Sequence, residues 1–306
     1  MLFIISLISF IAINLAPNSF FASGELNPNI TLEAIEQLKS IYGLDKPLYI
    51  QFFSWIYSIL QLDFGISFTS GERVKEEILS RIPITLTINI VSMILIFIIS
   101  LYFGIKSAMK KNSIFDRFTN QLSLLSFSMP SFYLALVLVL VFSIKFELFP
   151  IAGLHSVPND GSLNYYLDFA WHLTLPIFII VFGGIGSLIL YIRALTIEIL
   201  KSDYIFFARA RGLDNKKILR YYILPNLYPP VITLLGLSLP GIIGGSVILE
   251  TIFSIDGMGL LFYQSALSHD YPVIMGILII GAFLTLIGNM FADLILLKLN
   301  PNYNEK

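Results

Sequence analysis

The chain has no cysteine, three histidines and only 13% charged residues in 306 positions. Without cysteine it has no disulfide, no thiolate metal site and no cysteine nucleophile. The scarcity of charge, with 56% hydrophobic residues and a mean hydropathy of +0.82, excludes a soluble domain of this size, because too few polar side chains remain to cover one. No G-x-x-x-x-G-K-[ST] run occurs, so the chain carries no phosphate cradle of its own. The net charge of −1 gives no reason to expect nucleic acid as a partner.

What is present is a series of apolar runs long enough to cross a bilayer, at 84–103, 122–144, 173–192, 231–249 and 273–297. Residues 1–16 are apolar too, but at 1.5 Å per residue they cover about 24 Å against roughly 30 Å of hydrocarbon. They are read as a first membrane helix with a clipped or misassigned start, a cleaved signal ending near Ala22-Ser23-Gly24 being the alternative. Residues 17–82 are polar and acidic and are placed outside. Within them Leu32, Ile35, Leu38 and Ile41 mark one amphipathic helix ending at Gly43. At 48–62, Gln51, Ser54, Ser58 and Gln61 form a polar stripe, and with only about 15 residues and with Tyr49, Trp55 and Tyr57 the segment suits a helix lying in the membrane interface.

Basic residues decide the orientation. Lys106, Lys110, Lys111, Arg117, Arg193, Lys201, Arg209, Arg211, Lys216, Lys217, Arg220, Lys298 and Lys306, which are 13 of the 19, fall in three regions that the positive-inside bias assigns to the cytoplasm. The expected fold is therefore an all-α membrane protein of about six transmembrane helices, with both termini cytoplasmic and an external amphipathic-helix segment between the first two spans.

The most informative stretch is the basic run from Asp203 to Pro230. A short helix over 204–210, a stop at Gly212 through a positive φ, and a second helix over 216–224 closed by Pro225 make a compact knob, with Phe206, Phe207 and Leu213 as apolar anchors. Ala208 stands four residues before Gly212, and Leu224-Pro225 ends thirteen after it. In this the run resembles the cytoplasmic "EAA" loop of binding-protein-dependent ABC importer permeases, although Phe206-Phe207 stand where the general motif opens with Glu-Ala. The run from Asp203 to Leu213, with Asn226 and Pro230, is similar to the form in the dipeptide/oligopeptide/nickel branch. Gly43 to Pro47, Asp63 to Ser67, Ser126 to Phe132, Glu250 to Gly259, Asp270-Tyr271-Pro272, Asn289, Asp293 and Asn300-Pro301 extend the likeness along nearly the whole chain.

The resemblance implies a single transmembrane domain over 1–306, located in the bacterial cytoplasmic membrane, with a docking loop at 196–226. It further implies a second similar permease subunit, two cytoplasmic ATPase subunits that bind ATP and Mg, and an extracytoplasmic solute-binding protein. The docking residues would be Asp203, Tyr204, Phe207, Ala208, Arg209, Ala210, Arg211, Gly212, Leu213, Leu224, Pro225 and Asn226. The chain itself would be no enzyme and would carry no cofactor. Small peptides are the expected solute, nickel or a nickel chelate the alternative. An ion-coupled secondary transporter is the rival of another class; it calls for inverted repeats and midplane charges, and the spans carry almost none of the latter.

Other candidate residues have competing readings. Ser126, Ser128 and Ser131, beside Pro130, could line a path for a polar solute or bond to neighbouring helices. Gly183-Gly184-Ile185-Gly186 lies inside an apolar span and is read as a helix-packing site, as are Gly241, Gly244 and Gly245. His155, His172 and His269 lack metal-ligand spacing, so no metal site is expected. Asp256 to Gly259 reads as a turn. Asp293 is within reach of pairing with Lys298, one turn on.

Overall fold

The computed structural model describes residues 4, 6–8, 10, 11, 46–238 and 247–299. The expected helix at 32–43, the tail at Asn300-Pro301 and Gly241, Gly244 and Gly245 lie outside these residues, as does most of the expected first span. Among the described residues there is no strand, only one isolated bridge between Ile66 and Arg73. In the order of the chain, α1 is Leu48–Leu60, α2 Val74–Met109, α3 Ile114–Ser128 and α4 Ser131–Leu138, the last continuing as a π-helical turn Val139–Lys145. Next come α5 Leu163–Leu200, α6 Asp203–Ala210 and α7 Asn215–Ile218, a second π-helical turn Leu219–Ile223, and α8 Leu224–Ser238. Finally α9 is Val247–Ile252, α10 Met258–Leu267 and α11 Tyr271–Leu299.

Among the described residues, three helices are long and apolar enough to cross a membrane: α2, α5 and Tyr271–Phe291 of α11. A fourth crossing is available if α3 and the segment from Ser131 to Lys145 act as one span. The long helices exceed the apolar runs that announce them. α2 has 36 residues and α5 has 38, about 54 and 57 Å against roughly 30 Å of hydrocarbon. Residues 74–82, expected in the polar external segment, are in fact the opening turns of α2. Glu76 and Glu77 in its first turn and Lys106 in its last complement the helix dipole.

The third span is the main departure. Its two halves meet at 99° across Met129-Pro130. Met129 takes an extended conformation (φ −89°, ψ 119°) and Pro130 caps α4. Proline disfavours helical geometry in the residue before it, so the chain leaves the helix one step early and restarts in a new direction.

The chain divides into two compact units. One comprises the residues up to Thr85 together with Asp256–Leu284. Here Val74 and Ile78 pack with Met258, Leu261, Val273 and Ile277, and Gly276 allows close approach, since a Cβ there would lie 2.7 Å from Val74. Asp270, 1% exposed, accepts from Ser67 Oγ (2.6 Å), Phe68 N (3.2 Å) and Thr69 N (3.0 Å), which fixes the 63–73 loop. Arg81 pairs with Asp256 at 2.8 Å, and Met258 N donates to Thr85 Oγ1. The α1 helix buries Phe52, sets it with its own Trp55 and Ile56 against Phe10 and Met275, and leaves Tyr49, Phe53, Tyr57 and Leu60 exposed.

The other unit comprises Leu86–Ile255 and the residues from Thr285. Its centre is α5. Val181, Ile185 and Ile189 of α5 pack against Ile96, Ile99 and Phe103 of α2, and α3 lies along α5. Gly184 and Gly186 sit at these crossings: a Cβ would come within 2.5 Å of Ile96 in the first case and of the Ser123 carbonyl in the second. Gly183 meets nothing. α3 is capped by Ser113, which accepts from Asp116 N at 3.2 Å, and α5 by Ser162.

Candidate functional site

The knob begins where α5 ends. Ser202 precedes α6, and the helix stops in a Schellman motif, with Leu213 N bonded to Ala208 O (3.2 Å) and Gly212 N to Arg209 O (2.9 Å). Gly212 takes the φ of +81° that this stop requires. Asp214 then caps α7 by accepting from Lys217 N at 3.1 Å. The expected closure at Pro225 does not occur: the chain passes through the π-helical turn at 219–223 straight into α8, with Pro225 in its first turn. Pro225 has no N–H to return to the preceding turn, which is π-helical in place of regular α-helix, and Asn226 Nδ2 donates to the Tyr222 carbonyl at 2.6 Å.

Beneath the knob lies one apolar cluster. Phe97 and Ile105 of α2, Ile192 of α5, Ile205 of α6 and Ile218 of α7 join Ile223, Leu227 and Val231, with Leu213 packed against them. Ile205 and Ala208 are buried, whereas Phe206 and Phe207 are 68% and 60% exposed. Of the three expected anchors, two point outward and Leu213 serves the interior. Asp203, Tyr204, Arg209, Ala210, Arg211, Pro225 and Asn226 are exposed, as are Lys216 and Lys217, while Leu224 is half-buried. Tyr204 stacks on Tyr222 with centroids 6.2 Å apart. The result is a cationic, aromatic surface on a rigid base, with no nucleophile and base brought together on it.

Ser126, Ser128 and Ser131 do not act together. Ser126 is 1% exposed and donates to the Phe182 carbonyl of α5, so it ties two helices. Ser128 and Ser131 flank the bend and are exposed. A groove of about 600 Å³ opens elsewhere, among α2, α5 and α8, with Asn89, Ser92, Ser187, Tyr191 and Ser238 set in apolar walls. No charged residue lines it, and the Ser92 hydroxyl is buried without a hydrogen-bond partner. These polar residues are single substitutions inside apolar runs, a weak signal that the sequence reading passed over.

In sequence, Asp116 stands as a lone acid among Lys106, Lys110, Lys111 and Arg117. The structure buries it, 3% exposed, against Arg193 in a two-bond pair of 2.7 and 2.9 Å. Ser113-Ile114-Phe115-Asp116 has the spacing of a capping box, the one sequence signal that marks Asp116 as structurally placed. His155 and His172 gather about Asp168: His172 Nδ1 donates to the Asp168 carbonyl (2.9 Å), and His155 stacks on Tyr165 (3.9 Å) with Asp168 3.7 Å away. Among the described residues no three His, Cys, Asp or Glu side chains form a metal-holding group. Asp293 is exposed on α11, and the Lys298 side chain lies outside the described residues.

With this geometry in view, comparison with known proteins is decisive. Residues 98–305 match the family described as binding-protein-dependent transport system inner membrane component, and residues 1–89 match its N-terminal companion. The chain belongs to this family. The permease is 36% identical over 298 residues to the oligopeptide transport system permease protein AppB of Bacillus subtilis, covering 97% of this chain and 93% of that one. It is 32% identical over 301 residues to the dipeptide transport system permease protein DppB of Lactococcus lactis, covering 98% and 94%. Against the metal-staphylopine import system permease protein CntB of Staphylococcus aureus the identity is 31% over 278 residues, covering 91% and 85%. A chain of the MetNI methionine ABC transporter, from inward-facing crystal structures, shares the fold with a TM-score of 0.58 at 17% identity, over 73% of this chain and 96% of that one. The permease is thus a multi-pass inner membrane component of a transport system.

Proposed function

We propose that this permease forms half of the pore of an ATP-driven importer for small peptides and that the knob at 203–226 is gripped by a cytoplasmic ATPase subunit. The observation that carries the reading is the knob itself. Exposed Phe206, Phe207, Arg209 and Arg211 stand on a base held by Ile205 and Ile218, both at most 1% exposed, which suits a surface that receives force. ATP and Mg would be bound by two such ATPase subunits, a second similar permease would complete the pore, and an extracytoplasmic solute-binding protein would deliver the solute.

Six spans with both termini cytoplasmic fit this arrangement, since they put the basic loops and the knob on the ATPase side. The α1 helix would then lie in the outer interface, its 13 residues too few for a crossing. The uncharged groove among α2, α5 and α8 suits one wall of the path. A neutral wall with scattered hydroxyl and amide groups can meet peptide bonds without selecting side-chain charge.

The oligopeptide and dipeptide permeases among the relatives support peptides as the solute. The metal-staphylopine relative favours a second reading, a metal chelate. Reconstitution with the ATPase subunits and the binding protein separates them by ATP-dependent uptake of a labelled tripeptide or of a nickel–histidine chelate. Tripeptide uptake is expected. Uptake of the chelate alone would transfer the assignment to the second reading, and uptake without ATP would overturn both.

A further inference from the structure

The Asp116–Arg193 pair sits at the stem of the knob, and nothing in the proposed docking surface uses it. Asp116 Oδ1 accepts from Arg193 Nε (2.7 Å), Asn120 Nδ2 (3.1 Å) and the Ser107 hydroxyl; Oδ2 accepts from Arg193 Nη2 (2.9 Å) and Asn112 N (2.9 Å). Arg193 Nε also reaches Ser107 Oγ at 3.2 Å. One carboxylate thus gathers donors from the end of α2, the α2–α3 turn, α3 and α5. The α2–α3 corner is itself stiff: Phe115 stacks on Phe103 with centroids 5.7 Å apart, and Lys106 lies 4.7 Å over the Tyr102 and Phe115 rings.

Two features separate this pair from a generic buried contact. The apolar cluster beneath the knob takes side chains from α2, α5 and the knob, but none from α3. Among the described residues, the pair is the hydrogen-bonded link between α3 and α5 at that end of the unit, Ser126 supplying the other one near the bend. It is also directional, because a planar guanidinium on a carboxylate fixes orientation as well as distance, whereas apolar surfaces can slide over one another. Arg193 stands seven residues before the end of α5 at Leu200, about 10 Å along the helix, and the knob begins at Asp203.

We propose that Asp116 and Arg193 are positioning residues that bolt the α2–α3 corner to the stem of the docking knob. A displacement received at the knob is thereby delivered to the bent α3–α4 segment instead of being lost at the turn. The proposal rests on the docking reading given above, and its test keeps the two apart.

The intact transporter, reconstituted in liposomes, is compared as wild type, Asp116→Asn, Arg193→Lys, the exchanged double variant Asp116→Arg/Arg193→Asp, and Gly212→Val. Two quantities are read: the ATPase subunits retained on purification, and labelled tripeptide moved per ATP hydrolysed. Both are independent of how much protein each variant yields. Asp116→Asn and Arg193→Lys are expected to keep their ATPase subunits while tripeptide per ATP falls about tenfold, and the exchanged pair to recover part of that ratio. An unchanged ratio in Asp116→Asn and Arg193→Lys would overturn the proposal. So would loss of the ATPase subunits from these two, since the pair would then build the docking surface and not relay from it. Retention of ATPase subunits and of full uptake by Gly212→Val would instead overturn the docking reading.

Discussion

Gly212 is the residue on which the knob turns. Its φ of +81° is costly for a side chain with a Cβ, yet a Cβ there would meet nothing within 4 Å, so the demand is on backbone conformation alone. Valine should cost about 1–2 kcal/mol or more, whereas asparagine, which tolerates this region, should cost little. Uptake should therefore be lost in Gly212→Val and largely kept in Gly212→Asn, with both proteins inserted in the membrane; equal behaviour of the two would remove the role assigned to φ. Gly186 makes the opposite demand. A Cβ there would come 2.5 Å from the Ser123 carbonyl and 2.9 Å from Phe127 N, so Gly186→Ala must push α3 from α5 and should cost roughly 1–3 kcal/mol. Gly183→Ala meets no neighbour and should melt like the wild type in detergent.

The difference in legibility follows from the same residues. Gly212 could be read because a helix stop is a local event, written in the residue type and its neighbours. Asp116 could not, because its meaning depends on a partner 77 positions away. An acid in a basic loop has the same composition whether it is solvated or buried. Ser126 was left between two readings for a related reason: a serine in an apolar span does not declare whether it faces a path or a neighbouring helix.

At the scale of elements, periodicity located the apolar runs but not their true ends. α2 and α5 continue through polar residues because packing, at Val74 and Ile78 in the first case, prolongs a helix beyond its apolar core. Pro130 was visible as a proline inside the third apolar run, but its 99° consequence was not, since proline specifies a break and the surroundings set the new direction. The end of the knob was misjudged because proline does not oblige a stop: the chain takes a π-helical turn just before Pro225 and continues as helix.

The α1 helix was anticipated from its polar stripe. In the structure its exposed face is the row Tyr49, Phe53, Tyr57 and Leu60, at 65%, 61%, 66% and 78% exposure. Tyrosine-rich, uncharged helices settle at the headgroup boundary. Because the chain has no cysteine, a spin label at Tyr57→Cys reports without background. Its collision profile with oxygen and a water-soluble relaxant should place it at the headgroup level in liposomes. A label freely exposed to water would remove α1 from the interface.

For the whole molecule, composition was enough to give the class. With water excluded, each backbone polar group must be satisfied within its own segment, so an apolar chain of this kind is helical without further instruction. Orientation rests on charge: the knob should face inward because its lysines and arginines do. Arg211→Cys should resist a membrane-impermeant maleimide in intact cells and react in inverted vesicles. Labelling from outside would reverse the topology and remove the ATPase from reach.

One uninterrupted helix, α5, carries the Asp168 cluster near its start, the glycine crossings at its middle and Arg193 near its end. Its interior proline, Pro176, is the natural joint, and the stretch from there to Arg193 is proline-free. Pivoting at that joint by about two degrees would carry Arg193 roughly 1 Å sideways over about 26 Å, a shift comparable with the margin of a 2.7 Å hydrogen bond. Small angular changes beside the histidine-bearing end would therefore be felt as made or broken bonds at the other.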